Sequence, residues 1–242
     1  YPRGNSGLDM HVNVVIVAAG TGKRMQNDVP KPYLTVCGKP VLLHTLERFW
    51  PVNEIERIIV VVSREYKARC AKILRDHNPS NYVPVSIVIG GSERQDSVRN
   101  GLNALDSNCE IVVIHDAARP LITTEAIENG IRVAAQNGGA IIAEPASDTI
   151  KRINIDGTIS ETVPRDDLWL AQTPQTFQVT LIKAAHAWAS EHGIRGTDDS
   201  SLVEKMGRPV SVIRSQALNL KITTPSDLRI AECFLKNEKS EM

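Results

Sequence analysis

The chain has 242 residues, of which 42% are apolar and 23% charged, as in an ordinary globular protein. Lysine plus arginine equal aspartate plus glutamate at 28 each, and this zero net charge argues against a nucleic-acid partner. No apolar run approaches the roughly 20 residues that cross a bilayer, so we expect no membrane partner. The four cysteines are widely spaced and match none of the usual zinc patterns. We therefore expect a cytoplasmic protein with reduced thiols.

Short apolar strands alternate with helices through the first part of the chain. Residues 1–9 are polar and precede Met10, and we interpret them as an expression remnant or a disordered tail. Strands are predicted at 12–18, 58–62, 85–89, 111–114 and 140–143, and helices at 41–50, 64–77, 94–105 and 123–136 with Thr123 or Thr124 as N-cap. This alternation predicts an α/β fold: a mostly parallel sheet with right-handed crossovers and helices on both faces.

Residues 147–164 interrupt the alternation. Asp156-Gly157 stands between two short alternating segments, which is a strong hairpin signal. The hairpin has too few apolar residues for a core element, and an isolated hairpin is marginal in water. Two interpretations remain open: an arm that pairs with another subunit, or a solvated surface hairpin. Beyond it we predict helices at 179–191, 200–206 and 225–235, and strands at 210–214 and 218–222.

A glycine-rich loop follows the first strand and reads Ala18-Ala19-Gly20-Thr21-Gly22-Lys23-Arg24-Met25, then Pro30-Lys31-Pro32. Small residues let a ligand approach the backbone, whose N–H groups can bind phosphate, and open α/β sheets bind ligands at this end of a strand. A Walker A motif is excluded because Gly22-Lys23 precedes Arg24, and a dinucleotide fingerprint because Met25 replaces the third glycine. A tight loop without a ligand is the alternative, but Arg24 and Lys31 favour phosphate binding.

A second motif, His115-Asp116-Ala117-Ala118-Arg119-Pro120, follows another buried strand. A carboxylate such as Asp116, at a strand end near a phosphate loop, suits a Mg²⁺ ion that keeps most of its water. Arg119 can bind a phosphate through two hydrogen bonds. A turn cap for Asp116 and a surface ion pair for Arg119 are the alternatives.

The loop resembles the signature of the nucleotide-diphosphosugar pyrophosphorylase superfamily. In order, A-A-G-x-G-x-R-M, P-K, H-D-A-A-R-P, A-Q-T-P-Q and N-L-K-I-T resemble the 2-C-methyl-D-erythritol 4-phosphate cytidylyltransferase family of the non-mevalonate isoprenoid pathway, from about residue 12 to 235. The resemblance implies a Rossmann-like nucleotidyltransferase domain over 10–242, with a β-arm at about 147–164 that interlocks a homodimer. The reaction it implies joins CMP from CTP to this polyol phosphate and releases pyrophosphate.

The resemblance also implies which residues form the site. Reacting phosphates are assigned to Arg24, Lys31 and Lys221; the nucleotide to Ala18, Ala19, Gly20, Thr21, Gly22, Gly91, Ser92, Ser97, Asp116 and Ala117; and the polyol phosphate to Arg119, Thr149, Arg165, Thr173 and Lys221. Thr149 and Arg165 are expected to reach the partner subunit's pocket, and Asp116 to bind Mg²⁺. Many members carry an acidic residue where this chain has Ser92, so a hydroxyl is expected beside the base.

Two other functions fit the same motifs. A ribitol-5-phosphate cytidylyltransferase shares the loop, the cations and the arm, and acts on another linear polyol phosphate. A catalytically silent relative would keep the nucleotide pocket for regulation or assembly, although the intact cations argue against it.

Overall fold

The structure is a computed structural model that describes residues 10–20, 29–77, 83–215 and 218–240. The strands are β1 (Val12–Ala18), β2 (Thr35–Val36), β3 (Lys39–Pro40), β4 (Ile55–Val62), β5 (Val85–Ile89), β6 (Ile111–Asp116), β7 (Gly139–Pro145), β8 (Ile150–Ile153), β9 (Ile159–Val163), β10 (Trp169–Gln178) and β11 (Ser211–Arg214). The helices are α1 (Val41–Glu47), α2 (Lys67–His77), α3 (Arg94–Asn103), α4 (Thr124–Asn137), α5 (Val179–Glu191), α6 (Ser200–Lys205) and α7 (Pro225–Ser240). Single 3₁₀ turns occupy Lys31–Tyr33 and Arg64–Tyr66.

Seven strands form the central sheet, in the order β11-β7-β10-β6-β1-β4-β5. All neighbours pair in parallel except β10, which is antiparallel to both β6 and β7. The predicted α/β fold with a mostly parallel sheet is therefore confirmed.

Alternate side chains of β1 enter two different cores. Val14 and Ile16 pack with residues of α1, α2 and α4, whereas Val15 packs with residues of α3, α5 and α6. Helices consequently cover both faces, and for that reason the inner strands are apolar throughout instead of alternating. Helix α3 lies close to β1 at Gly101, where an added Cβ would come within 2.5 Å of Val15 Cγ1.

Two elements differ from the sequence predictions. Strand β10 was not predicted, because its residues 172–178 are mostly polar and include Pro174, yet it crosses the middle of the sheet with residues 172–177 buried. The strand expected at 218–222 is wrong. That segment has no strand partner, and its Ile222 N–H donates instead to Ala118 O at 2.8 Å.

The predicted hairpin is confirmed as β8 and β9, an antiparallel pair separate from the central sheet. Gly157 adopts φ +84 in its turn, a backbone conformation that glycine tolerates without strain. Three isoleucines of the hairpin, Ile153, Ile155 and Ile159, are more than half exposed.

Within the described ranges, no helix is both long and apolar enough to cross a membrane.

Candidate active site

A cleft of about 390 Å³ opens at the carboxyl ends of β1 and β6. These strands are parallel neighbours with Val17 opposite Asp116, so their ends meet at one edge of the sheet. The chain segments that line the cleft come from five places in the sequence: Val17, Ala18, Ala19 and Gly20; Lys31 and Pro32; Gly91, Ser92, Glu93, Arg94 and Ser97; Asp116 and Ala118; and Lys221.

Gly90 and Gly91 form a wall of the cleft that has no room for side chains. A Cβ on Gly90 would lie 2.7 Å from Ala19 Cβ, and one on Gly91 would lie 2.4 Å from Asp96 Cβ. Ser97 holds the turn because its Oγ accepts from Gly91 N at 3.1 Å and donates to Glu93 O at 3.0 Å. Gly91 itself is exposed and lines the cleft, so its backbone is accessible to a ligand.

Ser92 lies on the same wall and is oriented by a carboxylate. Its Oγ donates to Asp96 Oδ2 at 2.9 Å, and Asp96 also accepts from Arg99 and Arg195, each at 3.0 Å. With its proton engaged, the Ser92 hydroxyl keeps its lone pairs as acceptors.

Asp116 is the carboxylate of the cleft, and cations hold both of its oxygens. Lys221 Nζ donates to Oδ2 at 2.6 Å, and Arg94 Nε donates to Oδ1 at 3.3 Å. Burial alone would raise the pKa of Asp116, but the charges of Arg94 and Lys221 outweigh it and keep that pKa far below its usual range. Behind it, the Asp116 N–H donates to Thr173 Oγ1 at 3.1 Å. Asp116 is consequently a fixed anion.

Lys31 reaches the cleft from a 3₁₀ turn that is anchored by its neighbour Tyr33. The Tyr33 ring is buried and stacks on Tyr66 with centroids 4.8 Å apart. Arg69 lies over the same ring at 5.6 Å and donates to Tyr33 O at 3.3 Å. Stacking and a cation–π contact thus hold the turn that carries Lys31.

His115 is buried behind Asp116 and does not line the cleft. Its Nε2 lies 3.1 Å from Arg119 O and its Nδ1 3.1 Å from Thr173 Oγ1. Burial lowers the pKa of His115 to about 4, so the ring is neutral at pH 7. This geometry gives His115 a structural role behind the cleft.

The structure brings most of the residues assigned to the nucleotide and its phosphates together in one cleft. Nine of them line it: Ala18, Ala19, Gly20, Lys31, Gly91, Ser92, Ser97, Asp116 and Lys221. Ala117 does not, because its side chain is fully buried in the core and Ala118 lines the cleft instead. Thr21, Gly22 and Arg24 lie outside the described residues.

The residues assigned to the polyol phosphate fall into two groups. Thr173 and Arg119 lie beside Asp116 but do not line the cleft, and Arg119 Nη1 donates to Asn219 O at 2.7 Å. Thr149 and Arg165 flank the hairpin, are exposed, and do not line the cleft of their own chain. Arg165 Nη1 donates to Ser147 O.

Three site residues escaped the sequence reasoning: Arg94, Asp199 and Asn219. Arg94 joins Asp116 to Asp199, and the Asn219 amide donates to Thr173 O at 2.7 Å and to Gln172 Oε1 at 2.9 Å. Of these, Asn219 belongs to the N-L-K-I-T motif that carried the resemblance. Their partners are 22 to 105 residues away, so no local pattern reveals the pairing.

The donor set fits Mg²⁺ bound chiefly by a nucleotide. Among the residues that the structure describes, no cluster of three or more His, Cys, Asp or Glu side chains could enclose a metal ion. Mg²⁺ commonly binds one or two carboxylates and completes its shell with phosphate oxygens and water. Asp116 supplies one such carboxylate at the cleft.

Comparisons with known proteins agree with this geometry. The sequence profile of the 2-C-methyl-D-erythritol 4-phosphate cytidylyltransferase family matches residues 12–237. Proteins of that name from Geotalea uraniireducens and Caldanaerobacter subterraneus are 44% and 46% identical, covering 96% and 94% of this chain and all of each relative. The crystal structure of 4-diphosphocytidyl-2C-methyl-D-erythritol synthase from Anaerococcus prevotii superimposes with a TM-score of 0.82 at 32% identity, over 95% of this chain and all of the other.

Proposed function

This chain belongs to the 2-C-methyl-D-erythritol 4-phosphate cytidylyltransferase family, and from that membership we propose how its cleft binds and joins two substrates. It is a nucleotidyltransferase of isoprenoid biosynthesis. In the reaction we propose, a phosphate oxygen of 2-C-methyl-D-erythritol 4-phosphate attacks the α-phosphorus of CTP. The bond to the β-phosphate breaks, and 4-diphosphocytidyl-2-C-methyl-D-erythritol and pyrophosphate leave.

One observation carries the placement of CTP: exposed backbone and cations meet in a single cleft. Gly20 and Gly91 offer a backbone that a nucleotide can approach, and Lys31 and Lys221 line the same space. The Ser92 oxygen, whose proton is donated to Asp96, suits the amino group of cytosine and disfavours the carbonyl of uracil. We therefore assign the base to the wall at 90–97 and the triphosphate to the lysine side.

The chemistry needs charge neutralisation more than proton transfer. The attacking phosphate oxygen is already anionic, so no general base is required, and His115 is buried away from the cleft. Fixed cations lower the barrier by binding the charge that builds on the α-phosphate and on the leaving oxygen. We assign Lys31, Lys221 and Arg24 to these phosphates, and Arg119 with Thr173 to the polyol phosphate.

We further propose that Asp116 holds Mg²⁺ together with the triphosphate oxygens and water. Bound there, the ion would neutralise phosphate charge. The contacts from Arg94 and Lys221 keep Asp116 ionised, as a metal ligand must be.

We also propose that the hairpin is a dimerisation arm. Three exposed isoleucines on a two-stranded hairpin support this, because apolar surface of that kind is usually covered by a partner. Thr149 and Arg165, exposed at its base, would then complete the partner's pocket.

All four cysteines are free, which fits a reducing cytoplasm.

A pyrophosphate-release assay tests the proposal with four NTPs and two polyol phosphates, methylerythritol and ribitol phosphate. We expect release with CTP and methylerythritol phosphate, and at least tenfold less for any other pair. Faster release with ribitol phosphate would change the assigned substrate. Faster release with UTP would contradict the role of Ser92, and no release with any pair would indicate a silent relative.

A further inference from the structure

Alternating charges run from the cleft into the core of the protein. Lys221 Nζ and Arg94 Nε hold the two oxygens of Asp116, and Arg94 Nη1 continues to Asp199 Oδ2 at 2.8 Å. The side chains of Lys221, Asp116 and Arg94 are 38%, 11% and 27% exposed, whereas that of Asp199 is 1% exposed. Asp199 therefore lies at the buried end and lines no part of the cleft.

The protein fixes Asp199 from several directions. Its N–H donates to Gln175 Oε1 at 3.0 Å, and Ser200 N donates to the same oxygen at 3.0 Å. The Gln175 amide in turn donates to Asp198 Oδ2 at 2.7 Å. The other Asp199 oxygen lies 3.4 Å from His186 Nε2. Asp199 is consequently a rigid support for whatever it holds.

Asp199 holds the guanidinium group of Arg94, whose N–H donors have a fixed planar geometry. While Nη1 is engaged by Asp199, Arg94 offers Asp116 a single Nε contact of 3.3 Å. Without that partner, the guanidinium is free to turn, so that Nε and the presently unpartnered Nη2 can bind Asp116 through two parallel hydrogen bonds, the geometry that arginine favours. Asp116 would then be turned onto Arg94 and away from a metal–nucleotide complex.

A gain in stability does not by itself explain the ion pair between Arg94 and the buried Asp199. Removing two charges from water commonly costs as much as their attraction returns, so a buried ion pair is weak evidence of stabilisation. We propose that Asp199 is a positioning residue for cytidylyl transfer: by restraining Arg94 it keeps the oxygens of Asp116 available to the metal-bound nucleotide. This inference rests on the proposed role of Asp116.

Calorimetric titration of CTP with and without MgCl₂ tests the inference without relying on turnover. In the parent protein Mg²⁺ should tighten CTP binding, because it bridges two anions. In Asp199→Asn we expect this tightening to fall at least fivefold. Asp106→Asn is the control: Asp106 accepts from Asn13 Nδ2 at 2.9 Å, pairs with Arg57 and lines no part of the cleft, so the melting temperature should fall while the Mg²⁺ effect stays within twofold.

Further variants separate the possible failures. If Asp116→Asn keeps the full Mg²⁺ effect, the proposed function of Asp116 is wrong; if it loses the effect while Asp199→Asn keeps it, only the positioning inference is wrong. An equal loss in Asp106→Asn would also overturn the inference, since the effect would then reflect a general loss of stability. Should Asp199→Asn not fold, Arg94→Lys decides, because a lysine ammonium lacks the planar fork that joins Asp116 to Asp199 and should show the same fivefold loss.

Discussion

Lys31 depends on residues that never touch the cleft. Its turn is anchored by Tyr33 on Tyr66 and Arg69, which belong to the second 3₁₀ turn and to α2. A flexible lysine becomes a preorganised cation only if its backbone is held, and the two tyrosine rings supply that restraint. The sequence indicates the lysine through its Pro-Lys-Pro context, but nothing local reveals the stack.

Replacing Lys31 with alanine should lower kcat by 10²–10³-fold, or about 2.7–4 kcal/mol, the usual loss for one positioned donor to a developing charge. Unfolding in urea should change little, because Lys31 is only partly buried. Lys39→Ala is the matched control, since Lys39 pairs with Glu47 and does not line the cleft. A Lys31→Ala enzyme with kcat close to the parent's would remove Lys31 from the mechanism.

The buried His115 predicts a loss of stability in acid. Its pKa is about 4 in the folded protein and 6.5 ordinarily, so below pH 6.5 the unfolded chain takes up a proton that the folded one does not. The neutral His115 therefore makes its full contribution to the free energy of unfolding above pH 6.5, and this contribution is lost as the pH falls towards 4. Between pH 7 and pH 5 the loss of stability amounts to about 2 kcal/mol. Urea unfolding at both pH values should show this drop, and His115→Gln should reduce it. An unchanged drop in the variant would assign it to other groups.

At the scale of elements, the sequence predicted strands where apolar runs are continuous and failed where burial is polar. Strands β1 and β5 have the predicted bounds. Strand β10 was missed because its buried polar side chains, such as Thr173 and Gln175, are satisfied by partners far along the chain: Asp116 N and Asp198 Oδ2. These hydrogen bonds depend on the tertiary structure, so no periodic pattern in the sequence indicates that the polar residues of β10 are buried.

The hairpin carries a prediction about shared sites. If Arg165 serves the partner's pocket, mixing Lys31→Ala and Arg165→Ala subunits after co-refolding should restore about a quarter of parental activity, because about half the dimers are mixed and each has one intact site. Each variant alone should be nearly inactive. Lys31→Ala mixed with Lys221→Ala is the control, since both changes fall in the same cleft and every mixed site is damaged. No recovery in the first mixture would place Arg165 in its own chain's site.

At the scale of the whole molecule, the parallel sheet was predictable because βα alternation permits few topologies. The cleft's location followed from the same rule, since ligands of open α/β sheets bind beyond the carboxyl ends of strands. The alternation did not foretell the antiparallel β10, which separates β6 from β7 and brings the second half of the chain back to Asp116.

Binding order should be visible in global stability. CTP with Mg²⁺ at about 100 times its Kd should stabilise the fold by about 2.7 kcal/mol, which for a chain of this size raises Tm by roughly 5–10 °C. The polyol phosphate alone should shift Tm by much less, because we expect the nucleotide to bind first and complete its pocket. Differential scanning calorimetry with each ligand measures this, and an equal shift from the polyol phosphate alone would contradict the order.

Strand β10 connects the hairpin with the part of the cleft that contains Asp116. The strand begins at Trp169, a few residues after the hairpin, and its fifth residue, Thr173, supports the backbone of Asp116. The strand is thus a direct connection along the chain between the hairpin and the support of Asp116, with a register shift between Ala171 and Gln175. If the hairpin is the proposed dimerisation arm, substitutions that separate the subunits should therefore lower activity even where every side chain in the cleft is intact.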